Sequence, residues 1–77
     1  MLKTKKIDLH GIKVSDLAHK IDSIIFNAIR NGISEIEFIT GEGPLQHELM
    51  DLCQFEYCYP VRYKLGNRGI IIVDLEE

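Results

Sequence analysis

Two short stretches of the chain hold residue types that can do chemistry together. In Ile7-Asp8-Leu9-His10-Gly11 a carboxylate stands two residues ahead of an imidazole, and a glycine closes the segment. An imidazole such as that of His10 can act as general base or acid, while Asp8 can orient it, tune it or bind a metal ion. Thr40-Gly41-Glu42-Gly43 is followed by Pro44, which suits the first turn of a helix. Its glycines let the backbone approach a bound group while helix N–H donors point outward, the chemistry of an anion or phosphate seat. Each stretch also has a plainer reading. Asp8 and His10 can be solvated residues at a strand end, and the glycines can serve a tight strand-to-helix turn. His19 and His47 fall on predicted helices without ligand-like spacing and receive no role.

The elements that must position these residues follow from the apolar pattern. Ile7 and Leu9 alternate with Asp8 and His10, so Lys5 to His10 reads as a strand with Ile7 and Leu9 turned inward and Asp8 and His10 on the other face. Leu17, Ile21, Ile24, Ile25, Ala28 and Ile29 then repeat at helical spacing from Val14 onward. Ser15 with Asp16 supplies a capping signal, and Asn31-Gly32 ends the helix. Ile36 to Thr40 alternates as a second strand, and Leu45, Leu49, Leu52 and Cys53 predict a second helix from Pro44 to about Phe55. Tyr57 to Leu65 alternates again, with Pro60 favouring an edge or bulged position, and Gly66-Asn67-Arg68-Gly69 turns into the β-branched run Ile70 to Leu75.

The order is βαβαββ. Right-handed crossovers place both helices on one face of a mixed four-stranded sheet, a two-layer α/β (α+β) sandwich. The first two strands then end at the same sheet edge, which brings His10-Gly11 beside Thr40 to Gly43.

Size and charge bound the function. A chain of 77 residues is half the usual domain length, so one domain over residues 1–77 is expected, without a separate cofactor domain. A chain this short buries roughly 60% of its unfolded surface, so its core is marginal. Its net charge of −3 argues against binding nucleic acid through bulk charge. The charge is uneven, however. Lys3, Lys5, Lys6 and Lys13 cluster early and Arg62, Lys64 and Arg68 late, whereas Ser34 to Glu56 holds six acids and no Lys or Arg. One basic face forms if the two ends meet.

Cys53 and Cys58, with four residues between them, fit neither a redox pair nor a zinc knuckle and read as reduced packing residues. No apolar run reaches the ~18 residues of a membrane span, and no signal-peptide core is present, so no membrane partner and a cytoplasmic location are expected.

Ile7-Asp8-Leu9-His10-Gly11, Thr40-Gly41-Glu42-Gly43 and the run from Gly66 to Leu75 together resemble the Smr, or small MutS-related, domain across nearly the whole chain. In that family the first strand ends in D-L-H-G or D-L-R-G, the second in T-G-x-G or H-G-x-G, and a glycine turn precedes the last strand. The resemblance implies a two-layer sandwich like the C-terminal domain of bacterial translation initiation factor 3. It also implies nucleic acid as partner, through DNA nicking or RNA cleavage, including cleavage on stalled ribosomes. The family's D-x-H maps onto Asp8 and His10 as catalytic residues. Its glycine loop maps onto Thr40, Gly41, Glu42 and Gly43, with Gly11 beside it, as the phosphate site. Two positions depart from the pattern: Gln46 stands where the family usually has Arg, and Glu42 fills a position that is frequently basic. Arg62, Lys64 or Arg68 from the final hairpin are the candidates to supply the missing cation.

Three functions are therefore in view. A small endonuclease would use His10 to deprotonate an RNA 2′-hydroxyl without metal, or would act on structured DNA with a divalent ion such as Mg or Mn held by Asp8. A catalytically weak or inactive binding module would hold nucleic acid or a ribosome-associated protein. A structural subunit would oligomerise through Ile70 to Leu75, should that run form an exposed edge.

Overall fold

The computed structural model describes residues 2–75, so Met1, Glu76 and Glu77 of the expected 1–77 domain lie outside the described residues. Strand β1 (Thr4–Asp8) leads into helix α1 (Val14–Arg30), strand β2 (Glu35–Ile39), helix α2 (Pro44–Asp51), a π-helical turn (Leu52–Glu56), strand β3 (Val61–Lys64) and strand β4 (Asn67–Asp74). The sheet order is β1-β2-β4-β3, with β1 parallel to β2 and β4 antiparallel to both β2 and β3.

Helix α1 forms where its apolar residues fall on one stripe. Leu17, Ile21, Ile25 and Ala28 are buried, while Ile29, one residue further round, is exposed. The helix starts one residue before Ser15, with Lys13 as N-cap and no side-chain cap, so the expected Ser15–Asp16 cap does not form. Asp16 instead lies in the first turn, where its charge suits the positive helix end. At the other end the Ile33 amide bonds to the Ala28 carbonyl at 2.9 Å, closing the helix through Asn31 and Gly32.

One core joins the layers. Leu17, Ile21 and Leu49 from the helices meet Phe38, Ile71 and Val73 from the sheet, all with no exposure to solvent. The open face carries Glu35 and Glu37 of β2, Ile72 of β4 and Arg62 of β3. Arg62 reaches over β4 to Glu35 at 3.4 Å, and Lys64 reaches Glu37 at 3.0 Å.

Three sequence expectations are resolved here. The run Ile70 to Val73 pairs with β2 on one side and β3 on the other, so it is central core and offers no edge for oligomerisation. The early and late basic clusters start from opposite edge strands, β1 and β3, and approach through β2: Arg62 and Lys64 reach Glu35 and Glu37, whose neighbours on β1 are Thr4 and Lys6, and the Thr4 hydroxyl donates to the same Glu35 carboxylate at 3.0 Å. The third strand is shorter than Tyr57 to Leu65. The π-helical turn uses residues up to Glu56, and Cys58 then adopts φ 60°, a left-handed conformation that interrupts any extended segment. Cys58 is exposed, so of the two cysteines only Cys53 packs in the core. The Tyr57 hydroxyl donates to Asp22 at 2.9 Å and ties this segment to α1.

The final hairpin also turns earlier than expected, at Leu65-Gly66, so Asn67 and Arg68 belong to β4. Between the pairs Tyr63–Ile71 and Lys64–Asn67, residues Arg68, Gly69 and Ile70 have no partner on β3. This bulge bends the start of β4 out of the β3 ladder and toward the end of β2.

Candidate functional site

The alternation that sets Asp8 on the open face stops with β1. Leu9 still donates its amide to the Ile39 carbonyl at 2.9 Å, and its carbonyl then accepts the Ile12 amide at 3.1 Å. His10 and Gly11 are the two central residues of that turn, and Gly11 takes φ 86°, a conformation that an L side chain resists. His10 therefore stands at the end of the sheet rather than on its open face, and it is exposed. The Asp8 carboxylate accepts the backbone amide of His10 at 2.8 Å. Asp8 thus fixes the turn that presents the imidazole, and among the described residues its carboxylate bonds to no imidazole nitrogen.

The loop after β2 is the neighbour of that turn, because β1 and β2 run parallel and in register up to Asp8–Ile39. Thr40 and Gly41 both donate their amides to the Gly69 carbonyl, at 3.0 and 2.9 Å. Those two donors are spent on holding the loop. The amides of Glu42 and Gly43, followed by those of Leu45 and Gln46 in the first turn of α2, are the ones that remain for an anion. Gly41 at φ 71° makes the bend that leads into them. Pro44 opens the helix and offers no donor.

Gln46 explains how the loop is held. It is 4% exposed, and its amide nitrogen donates to the Thr40 hydroxyl at 3.3 Å and to the Arg68 carbonyl. One buried amide thus joins the loop, helix α2 and the bulge of β4. Gln46, where the resemblance led to the expectation of Arg, is a buried internal fastener.

The three late cations separate in space. Arg62 and Lys64 lie on the open face in their pairs with Glu35 and Glu37. Arg68 lies at the site: its Nε is 3.9 Å from the Glu42 carboxylate, and its guanidinium sits 4.7 Å from the Tyr63 ring centroid. Across this edge the order is His10-Gly11 after β1, Thr40 to Gly43 after β2, and Arg68 at the start of β4. The outer two are two interstrand spacings apart, roughly 10 Å. The stacking partner Tyr63 escaped the sequence reading. Its signal was the two-residue turn that brings strand residues on either side of Leu65-Gly66 together.

Among the described residues, no three His, Cys, Asp or Glu side chains converge to hold a metal. A divalent ion at Asp8 would have one carboxylate and would keep most of its water. Among the same residues no helix is long and apolar enough to cross a membrane.

The family model of the Smr domain matches residues 7–76. The chain belongs to the Smr domain family. Among solved structures, the Smr domain of Thermus thermophilus MutS2 is similar to this Smr domain at a TM-score of 0.83 and 20% identity, covering 95% of this chain and 99% of that one. That likeness speaks for the fold, the mixed four-stranded sheet with two helices. No curated protein matches the chain. As a member of a family of nuclease-like and nucleic-acid-binding domains, this Smr domain is associated with nucleic acid in general.

Proposed function

We propose that this Smr domain is a small endonuclease whose substrate is RNA. The observation that carries the reading is the neighbourhood of His10, on the turn that Asp8 fixes, and the loop amides of Glu42 and Gly43, which the loop's own backbone bonds do not use. Those amides receive a phosphodiester with the adjacent ribose toward His10. The neutral imidazole takes the proton of the 2′-hydroxyl, the 2′-oxygen attacks phosphorus, and the bond from phosphorus to the 5′-oxygen breaks. Solvent water protonates the departing 5′-oxygen. A 2′,3′-cyclic phosphate and a 5′-hydroxyl end are left. The loop amides stabilise the charge that builds on the phosphoryl oxygens, and Asp8 acts by positioning. On structured DNA no 2′-hydroxyl is available, and attack by water would call for a divalent ion such as Mg or Mn beside Asp8. Action in the cytoplasm, with ribosome-bound RNA among the substrates, belongs to the same proposal.

The test is cleavage of an end-labelled single-stranded RNA and of branched DNA of the same sequence, with and without EDTA, by wild-type, Asp8→Ala and His10→Ala protein. Expected is EDTA-resistant RNA cleavage, lost in His10→Ala and reduced in Asp8→Ala. Clean wild-type protein that binds RNA without cutting it would overturn the nuclease and leave the second reading, a binding module. That reading has its own support: the net charge of −3, the commitment of Arg62 and Lys64 to Glu35 and Glu37, and the placement of Glu42 against Arg68.

A further inference from the structure

Arg68 is an odd choice for a phosphate ligand. Its guanidinium already faces a carboxylate, since Glu42 Oε1 lies 3.9 Å from its Nε, and both side chains are 71% exposed. Partial neutralisation by Glu42 weakens what the group can offer an anion. What the arrangement keeps is a plane. The guanidinium lies over the Tyr63 ring at 4.7 Å, the Gln46 side-chain amide donates to the Arg68 carbonyl, and the β4 bulge frees the residue from the β3 ladder. With its central carbon 4.7 Å from the tyrosine ring centroid and 71% of its side chain exposed, the guanidinium still offers flat, polarisable surface to solvent.

We propose that the Tyr63–Arg68 stack is a base-binding platform, on which an unpaired nucleobase stacks while the neighbouring phosphate sits at Glu42 and Gly43. This rests on the nucleic-acid reading above and narrows it to single-stranded or unpaired stretches, because a base inside a duplex has no free face to offer. The platform also accounts for how a chain of net charge −3 holds nucleic acid. Its affinity comes from stacking more than from counterion release, so it falls only shallowly with salt. Glu42 belongs to the device as the carboxylate beside the guanidinium, and its negative charge favours bases over bare phosphates.

The test uses a fluorescein-labelled oligodeoxyadenylate of about ten nucleotides, within the site size of small single-strand binders, and an abasic oligomer of equal length and charge. Neither carries a 2′-hydroxyl, so binding is read apart from cleavage. Wild-type protein should bind the oligodeoxyadenylate about tenfold tighter than the abasic chain, within the range that one stacked base supports. Arg68→Lys keeps the charge and loses the plane. It should erase most of that ratio by weakening oligodeoxyadenylate binding. Glu42→Gln should raise abasic affinity and narrow the ratio from the other side. Equal binding of the two oligomers by wild type, or an unchanged ratio in Arg68→Lys, overturns the platform while leaving nucleic-acid binding in place. Binding of neither oligomer overturns the platform together with the reading on which it rests.

Discussion

The two faces of the sheet hold the same strands by different means. The helix-covered face is closed by Phe38, Ile36, Ile71 and Val73 against Leu17, Ile21 and Leu49, all without solvent exposure. The other face has no covering layer. It is screened by Arg62 and Lys64, which extend across β4 to Glu35 and Glu37 and shield Ile72, itself only 7% exposed. Long basic side chains cover apolar surface with their stems while their heads stay solvated. The difference teaches where cations are to be counted. Arg62 and Lys64 belong to the architecture of the open face, and the late cation that stands at the Gly loop is Arg68.

The comparison breaks most easily on the covered side. Phe38→Ala would leave a large void between β2 and both helices and should cost roughly 3–5 kcal/mol. In a domain this small that is a large share of the total stability, about 0.05–0.15 kcal/mol per residue. Urea unfolding followed by circular dichroism should show a midpoint shifted far down, or no cooperative transition. A mild shift would mean that the core is less dependent on Phe38 than its full burial implies.

At the junction between faces and site, Gln46→Leu should cost roughly 1–3 kcal/mol, because the Arg68 carbonyl loses its buried donor. Restoring the family's residue with Gln46→Arg should be at least as damaging, since a charge would then occupy a position that is 4% exposed. It should not raise affinity for nucleic acid. Denaturation midpoints and oligonucleotide titrations of the two variants check both halves. A stable Gln46→Arg protein with tighter binding would show that the position faces the anion after all.

On the open face the effects shrink. The Lys64–Glu37 pair has a nearly buried carboxylate, with Glu37's side chain 10% exposed, so Lys64→Met should cost roughly 1–2 kcal/mol and Glu37→Gln should recover much of it. Arg62 is more than half exposed, and Arg62→Ala should fall within about 1 kcal/mol of wild type. Neither change should alter nucleic-acid affinity by the margin expected at Arg68. A large loss in Arg62→Ala would move the binding surface onto the open face.

Much of this was legible in the sequence, and the gaps have physical causes. The order of elements followed from apolar periodicity, and His10 was rightly placed at the same sheet edge as the Gly loop because two consecutive crossing units leave little freedom. Strand order was not legible. Nothing in Ile70 to Val73 distinguishes a central strand from an edge, and that choice decided that Arg62 and Lys64 must cross β4 to reach Glu35 and Glu37. The bulge at Arg68 to Ile70 was hidden because no residue type there is forbidden in a regular ladder. Gln46 was read as a lost cation because the expectation came from a family pattern, while its burial is a fact of three dimensions. The charges of Glu35 and Glu37 were visible at the same two-residue spacing as those of Arg62 and Lys64, but matching them required knowing that only β4 separates the strands.

The covered core and the exposed surface also part the two thiols. Cys53 packs in the covered core, where burial pushes its thiol from an ordinary 9.0 up to about 12, whereas Cys58 is exposed. A thiol reagent at mild alkaline pH should label Cys58 at once and Cys53 only as the domain opens, which mass spectrometry of the peptides would resolve. The raised value also has a sign. The unfolded chain releases the Cys53 proton near pH 9 while the folded chain retains it, so this contribution to stability is complete below pH 9 and is lost as pH rises from there toward 12. The loss approaches about 1.4 kcal/mol per pH unit for one proton. Cys53→Ala should be less stable at neutral pH yet shallower in its alkaline slope. Tyr57, which burial and its bond to Asp22 also raise to about 12, supplies whatever slope remains above pH 10. An alkaline slope identical in wild type and Cys53→Ala would place the buried thiol outside the titration and leave the loss to the tyrosine.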